Sequence, residues 1–435
     1  MQVLKFGGTS VGSAEKMKEV ARLIKNDETK IVVLSAMSGT TNALVQIAEQ
    51  LYAKKNSRAN QLINQLEKKY KQVVSELFQT SEILNEAASL IESHFNFIKS
   101  FTQDLFTIHE ERAILSQGEL ISTALFQLYL QEQKIDSILL PALNFMRIDT
   151  NGEPDNYYIK ENLQRELEKY PDNKLFITQG YICRNLYGEV DNLKRGGSDY
   201  SASLIGVAIN ADEIQIWTDI SGFHNNDPRY VENTHSIEKL SFDEAAELAY
   251  FGAKILHPSS VLPAKLANIP VRLKNTMKPD DPGTLISDEA IGKGIKAVAA
   301  KDGITAIKIK SGRMLLAYGF LRKVFEVFER FKTPIDMITT SEVAVSVTID
   351  DTSYLSEIVE ELNYYGAVEI DAEQSIICVV GENLIEQKGI INRILEALKN
   401  FNIRMISYGG SRHSISILVS GSDKKDALNS LNGIF

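Results

Sequence analysis

The spacing of apolar and polar positions changes along the chain, and each change predicts an element. Residues 2–6 (QVLKF) read as a short strand running into Gly7-Gly8. Ser13 is placed to cap a helix over 14–26, with Met17, Val20, Ala21 and Ile24 on one face. Residues 30–35 (KIVVLS) form a continuous apolar run, as in a strand buried on both faces. Strand, glycine turn, helix and strand make a βαβ unit, which predicts a parallel sheet covered by helices.

Residues 43–108 contain no Gly or Pro, and Leu62, Leu66, Tyr70, Val73, Val74 and Leu77 recur at helical spacing. Two or three long helices are expected here, as a helical subdomain or lid, with a coiled-coil partner surface as the alternative. The α/β rhythm then returns. Strands are expected at 137–140, 174–178 and 213–218, and helices at 119–132, 160–170, 199–209 and 241–253. Residues 275–289 hold two prolines and read as a surface connection, with a domain boundary near 290–300.

The tail repeats a pattern. Residues 314–371 read as strand, helix, two strands, helix and strand. Residues 376–432 repeat that order without the last strand. The strand TAIKIK (305–310) is expected to fill the gap, so that the first unit is inserted within the second.

Composition narrows the class. The chain has 435 residues, which at roughly 100–200 per domain implies two to four domains. Hydrophobic residues are 44% and charged residues 24%, the balance of a globular protein and not of a disordered one. Nothing approaches the ~20 apolar residues of a membrane span. Gly7-Gly8 stand where a signal peptide would need its apolar core. Cys183 and Cys378 alone cannot build a disulfide framework or a cysteine-based zinc site, so a cytoplasmic location is expected. A net charge of −10 argues against nucleic acid as a partner but leaves room for a local cationic pocket.

The chemistry sits at strand ends. KFGGTS (5–10) follows a buried strand with small residues and then a helix, a geometry that lets backbone N–H groups approach an anion. Taken alone, it reads more readily as a structural turn. SAMSGTTN (35–42) and LKRGGSDYSA (193–202) repeat the design. Ligands of open α/β sheets bind beyond the carboxyl ends of the strands, so three such turns together point to a phosphate or carboxylate site. IWTDISGFHNNDPR (216–229) follows another strand. In FGAKILHPSS (251–260), His257 before Pro258 reads as a structural or capping residue.

In this order, KFGGTSV, SAxSGxTN, LSQGE (115–119), RGGSD, WTD…DPR and FGAKILHP resemble the aspartokinase family, within the amino-acid kinase fold. The resemblance spans the chain and implies a catalytic domain at 1–295 (with 43–108 as its helical subdomain), a first ACT domain at 311–375, and a second built from 300–310 plus 376–435. The implied fold class is α/β, followed by two α+β βαββαβ domains.

The resemblance implies ATP-dependent phosphorylation of the aspartate side-chain carboxylate, the first step toward lysine, threonine and methionine. Lys5 would neutralise the transferring phosphoryl group and Asp199 would organise the reacting groups. Arg195 would hold the α-carboxylate of aspartate and Glu119 its amino group, with Ser35, Thr41, Gly196, Gly197 and Ser198 completing the substrate site. ATP would meet Gly7, Gly8, Thr9, Ser10, Thr218, Asp219, His224, Arg229, Lys254 and Ile255. Mg²⁺ would be held by nucleotide and water, without a protein metal cage.

Two departures affect this site. Asn192-Leu193-Lys194 replaces the family's Thr-Leu-Gly, and His224 stands where a Tyr is usual. ITTSEVAVSVT (338–348) is similar to the first ACT domain of lysine-sensitive aspartokinases. Lysine would bind between the ACT domains of a homodimer, within a possible tetramer, at Asp336, Met314, Ala317, Thr340, Ser341 and Glu342. Leu316, Ala317 and Tyr318 differ from that group's pattern. The other readings are a sibling kinase with another acceptor and a non-catalytic amino-acid sensor.

Overall fold

The computed structural model describes residues 1–103, 105–193, 196–252, 255–288, 294–311 and 318–435. The chain divides into two compact units, Met1–Gly222 with Ile255–Asp288, and Phe223–Lys254 with Glu289–Phe435.

In the first unit the strands lie in the order Ile138–Leu140, Leu175–Gln179, Lys30–Leu34, Gln2–Phe6, Ile214–Thr218, Val271–Asn275 and Thr284–Ile286. All these pairs are parallel except the last, which is antiparallel. Every residue of Lys30–Leu34 is buried, as its unbroken apolar run requires. The chain turns from one side of Gln2–Phe6 to the other, so the end of this strand lies at the topological switch point. The expected connection at 275–289 contains a strand, and another, not expected from the sequence, leads into it. Thr284–Ile286 lies within the stretch read as loop, and Val271–Asn275 precedes it.

Residues 43–108 fall in three helices, Thr40–Tyr52, Asn56–Leu77 and Ser81–Ser100. Their apolar faces, including Ile63, Tyr70, Ile91 and Phe95, join a core shared with Val32 and Leu34 of the sheet. The segment is therefore a subdomain packed on the sheet. The next helix, Ile108–Glu132, begins eleven residues ahead of the expected start. Buried positions from Ile114 to Glu119 lie all around it and conceal its period.

In the second unit the strands run Ile338–Thr340, Ala344–Ile349, Gly294–Lys310, Ala367–Glu382, Ser414–Ser420 and Met405–Ser407. Two strands are long enough to serve both repeats. Residues 305–310 pair with 344–349 and 306–310 with 367–371, while 294–301 pairs with 376–382. This corrects the expectation that 305–310 completes the second repeat: that strand is 294–301. Lys301-Asp302-Gly303 interrupts the apolar pattern where the register shifts, with Gly303 at φ +73°, and so hides one continuous strand. The strand expected at 314–317 lies outside the described residues. Residues 223–252 pack within this unit: Val231 joins its apolar core, and Asn226 Nδ2 donates to the Leu428 carbonyl at 3.0 Å.

Candidate active site

Lys5 is the penultimate residue of the Gln2–Phe6 strand, level with Val33 and Ile216 of its neighbours. Its ammonium lies 2.6 Å from Asp199 Oδ1, and the two side chains are 11% and 14% exposed. Asp199 stands in the first turn of the Gly197–Ala208 helix, where the helix dipole favours a carboxylate. Gly196 caps that helix at φ +75°. One buried strand end and one helix start thus deliver opposite charges to one point.

The turns after the first two strands are interlocked. The Ser38 amide donates to the Gly8 carbonyl at 3.1 Å, and the Ser35 amide to the Phe6 carbonyl at 3.2 Å. A Cβ on Gly8 would lie 2.8 Å from the Ala36 carbonyl oxygen, closer than real contacts allow. Beyond this turn the Ser10 hydroxyl is buried against Thr276 Oγ1 at 2.7 Å, and the Thr9 carbonyl accepts from Lys16 Nζ.

Glu119 comes from the long Ile108–Glu132 helix. Gly118 lets that helix approach the Ser35–Gly39 turn, because a Cβ there would stand 2.7 Å from the Ala36 methyl. Glu119 Oε1 accepts the Ala36 amide at 3.1 Å. Oε2 is buried with no hydrogen-bond partner among the described residues. Burial of this 3%-exposed side chain pushes its carboxyl up to about 8, against the downward pull of the Ala36 amide and nearby Lys5.

A cavity of about 330 Å³ opens between these turns, lined by Gly8, Ser35, Thr41, Glu119, Gly197 and Ser198 among others. Asn42 and Tyr181 also line it, and neither was an expected site residue. Tyr181 holds φ +67°, rare for an aromatic residue, and its ring fills the space a side chain on Gly197 would need. The Tyr181 amide donates to Ser201 Oγ at 2.9 Å. The one sequence signal for Tyr181 is its place after a strand end and Gly180.

The remaining expected residues are distributed as follows. Thr218 ends its strand, its hydroxyl donating to Asp219 Oδ1 at 3.1 Å. Ile255 precedes the short turn Pro258–Ser260, and His257 Nδ1 sits 2.5 Å from Ser259 Oγ, a local contact in keeping with a structural role. His224 and Arg229 belong to the second unit. His224 is half-buried against Thr234, and burial lowers its ring pKa. Arg229 is exposed and chelates Asp227. Lys194, Arg195, Lys254, Met314, Leu316 and Ala317 lie outside the described residues.

The second unit holds the expected effector residues that the structure describes. Asp336 Oδ1 accepts from Lys301 Nζ and from Tyr250 Oη, each at 2.7 Å. Its Oδ2 is buried and unpartnered among the described residues. Thr340 ends the sheet's edge strand, and Ser341 and Glu342 follow it, exposed. Among the described residues, no helix is long and apolar enough to cross a membrane.

A helix-covered parallel sheet with its glycine turns gathered at the strand ends is of the amino-acid kinase class. The amino acid kinase family model matches residues 1–275, and an ACT domain model matches 377–435. The lysine-sensitive aspartokinase 3 of Escherichia coli (strain K12) is 34% identical over 453 residues, covering 99% of this chain and 98% of that protein. The solved structure of E. coli aspartokinase III with lysine and aspartate, in the T-state, superposes with a TM-score of 0.85 at 32% identity. The same enzyme with aspartate and ADP, in the R-state, gives 0.84 at 32% identity; both superpositions cover 100% of this chain and 99% of the other. The chain belongs to the aspartokinase family, and its enzymatic class is aspartate kinase.

Proposed function

We propose that this chain uses Mg-ATP to phosphorylate the side-chain carboxylate of L-aspartate and that lysine inhibits it through the ACT region. The observation that carries the catalytic part is the Lys5–Asp199 pair beside the Glu119-lined cavity. A carboxylate oxygen attacks the γ-phosphorus, the bond to the β,γ-bridging oxygen breaks, and ADP leaves. The nucleophile is already ionised at neutral pH, so no strong base is needed. The difficulty is bringing an anion to a triphosphate, and the protein meets it with positioned cations and backbone donors.

In this reading Lys5 neutralises the transferring group, and Asp199 fixes the direction of the lysine ammonium. Arg195 pairs with the α-carboxylate of aspartate. Glu119, which lines the cavity and whose buried Oε2 has no partner among the described residues, takes the ammonium. Ser35, Thr41, Gly196, Gly197 and Ser198 complete the acceptor site. Gly7, Gly8, Thr9, Ser10, Thr218, Asp219, His224, Arg229, Lys254 and Ile255 serve the nucleotide. ADP bound to the related E. coli enzyme supports ATP as donor. Mg²⁺ would be held mainly by phosphate oxygens of the nucleotide and by water.

For regulation, Asp336 Oδ2 takes an effector ammonium, with Met314, Ala317, Thr340, Ser341 and Glu342 around it. The exposed edge strand Ile338–Thr340 supports a homodimer formed through the ACT domains. In the same reading the protein is cytoplasmic, the catalytic domain ends before residue 294, residues 305–310 join 311–375 in the first ACT domain, and residues 294–301 join 376–435 in the second. The test is a coupled ADP assay with aspartate and Mg-ATP, without and with millimolar lysine. Absence of turnover by folded protein would refute the catalytic reading. Inhibition by threonine alone would refute the effector assignment.

A further inference from the structure

A second cluster of buried titratable groups lies in the unit that contains the C-terminal sheet. Glu244 stands in the first turn of the helix Phe242–Tyr250, Glu382 ends the strand Ala367–Glu382, and His413 immediately precedes the strand Ser414–Ser420 that pairs with it. One ligand atom from each of the three lies within 4.8 Å of the others, and His413 Nδ1 is 3.8 Å from Glu382 Oε2.

Glu244 is wholly enclosed, at 0% exposure. Its Oε2 already accepts from the Ser241 amide and from Lys296 Nζ, each at 2.7 Å. Its Oε1 has no hydrogen-bond partner among the described residues, nor have Glu382 Oε2 and His413 Nδ1. Enclosed polar atoms are almost always bonded, so three of them meeting without donors marks a place built for a cation.

We propose that Glu244, Glu382 and His413 bind one divalent transition-metal ion of the zinc class. Two carboxylates with one imidazole suit Zn²⁺ better than Mg²⁺, which prefers an all-oxygen shell. Bonds of about 2.1 Å to such an ion bring neighbouring donors to about 3–3.5 Å apart. Glu382 and His413 are 12% and 18% exposed. They have room to close that difference and leave a path for entry and for a water ligand. Lys296 holds one oxygen of Glu244 and leaves the other for the ion. The two carboxylates and the lysine sum to −1, which a divalent ion reverses to +1.

The ion would tie a helix from the amino-acid kinase match at 1–275 to the sheet of the ACT match at 377–435. It would thus act as a staple between stretches distant in sequence. The proposal is independent of the kinase reading.

The test uses full-length, tag-free protein, stripped with chelator and free of nucleotide, titrated calorimetrically with Zn²⁺, Mn²⁺ and Mg²⁺. One equivalent of Zn²⁺ is expected, bound at least about tenfold more tightly than Mn²⁺, with no stoichiometric Mg²⁺. Zn²⁺ should also raise the unfolding temperature. Glu382→Gln, which keeps shape and size, and His413→Ala should each weaken Zn²⁺ binding at least about tenfold and abolish that rise. Wild type without stoichiometric Zn²⁺ binding, or either folded variant with unchanged affinity, would overturn the proposal. A stability that follows pH and ignores Zn²⁺ would equally overturn it, assigning the cluster to a shared proton.

Discussion

The ammonium of Lys5 rests 2.6 Å from the carboxylate of Asp199, which lies 194 residues further along the chain. The two are mostly buried, so each is the other's main compensation for lost water. Lys5→Ala removes the cation that Asp199 meets among the described residues and takes a charge from the proposed phosphoryl path. Its kcat is expected to fall by about 10²–10³, the scale of losing one preorganised charge donor. A coupled ADP assay with circular dichroism as fold control checks this, and full activity in Lys5→Ala would end the assignment.

The buried Glu119 carboxyl, pushed up to about 8, gives a pH signature. A folded-state pKa above the unfolded one contributes stability that is fully present below the unfolded pKa, about 4.3, and is lost as pH rises toward 8. Substrate-free protein should therefore lose stability over this window. Glu119→Gln should flatten that slope in denaturant titrations run from pH 5 to 8. Aspartate binding draws Glu119 toward its ionised form, so calorimetry near pH 7 in buffers of different ionisation enthalpy should report a released proton. The same proton release in Glu119→Gln would show another group to be responsible.

Gly7 and Gly8 are adjacent, yet their surroundings differ. A Cβ on Gly7 meets Lys5 Nζ at 3.5 Å, an ordinary contact, whereas one on Gly8 meets the Ala36 carbonyl oxygen at 2.8 Å. Backbone cannot step aside as a side-chain end can. Gly8→Ala should separate the two turns, raise KM for ATP and aspartate, and lower stability, with Gly7→Ala much milder in thermal melts. Equal effects of the two would show that close turn packing is not what requires glycine.

The helical subdomain bears on the site through Tyr70, whose hydroxyl is buried 2.9 Å from Thr40 Oγ1. Lys69 Nζ beside it donates to the Ser38 carbonyl at 2.7 Å. Tyr70→Phe keeps the ring and leaves Thr40 without its partner, an expected loss of about 1–3 kcal/mol in urea unfolding. The loosened turn should also raise KM for aspartate.

Asp336 presents Oδ1 to Lys301 and Tyr250 and keeps Oδ2 unpartnered among the described residues. Asp336→Asn removes the charge an effector ammonium needs, while Lys301 retains Asp350 at 2.8 Å. Lysine inhibition should weaken at least about tenfold with basal turnover unchanged, the loss of one charge-assisted bond. Initial rates against lysine concentration measure it.

Much of the first unit was legible from local signals. The apolar run at 30–34, the Ser13 cap and the glycine turns at 7–8 and 196–197 each carry their cause within a few residues. Those signals depend on backbone sterics and on period, which short stretches contain. Tyr181 carried no such signal: its φ of +67° exists because Ser201, Gly197 and the surrounding turns hold it there. The long helix start was hidden by burial on every side, and the long strand 294–310 by the polar break at Lys301–Gly303.

The sequence by itself therefore determined most helices and the central strands, the strand-end turns and the residue types able to handle phosphate and carboxylate. Tertiary structure decided the rest: that Lys5 meets Asp199, that Glu119 is buried enough to hold its proton near neutral pH, and that 294–301 completes the second repeat. The physical reason is range. Torsional preference and hydrophobic period act over a few residues, whereas desolvation, charge pairing and strand registry depend on which distant segments come to share one place.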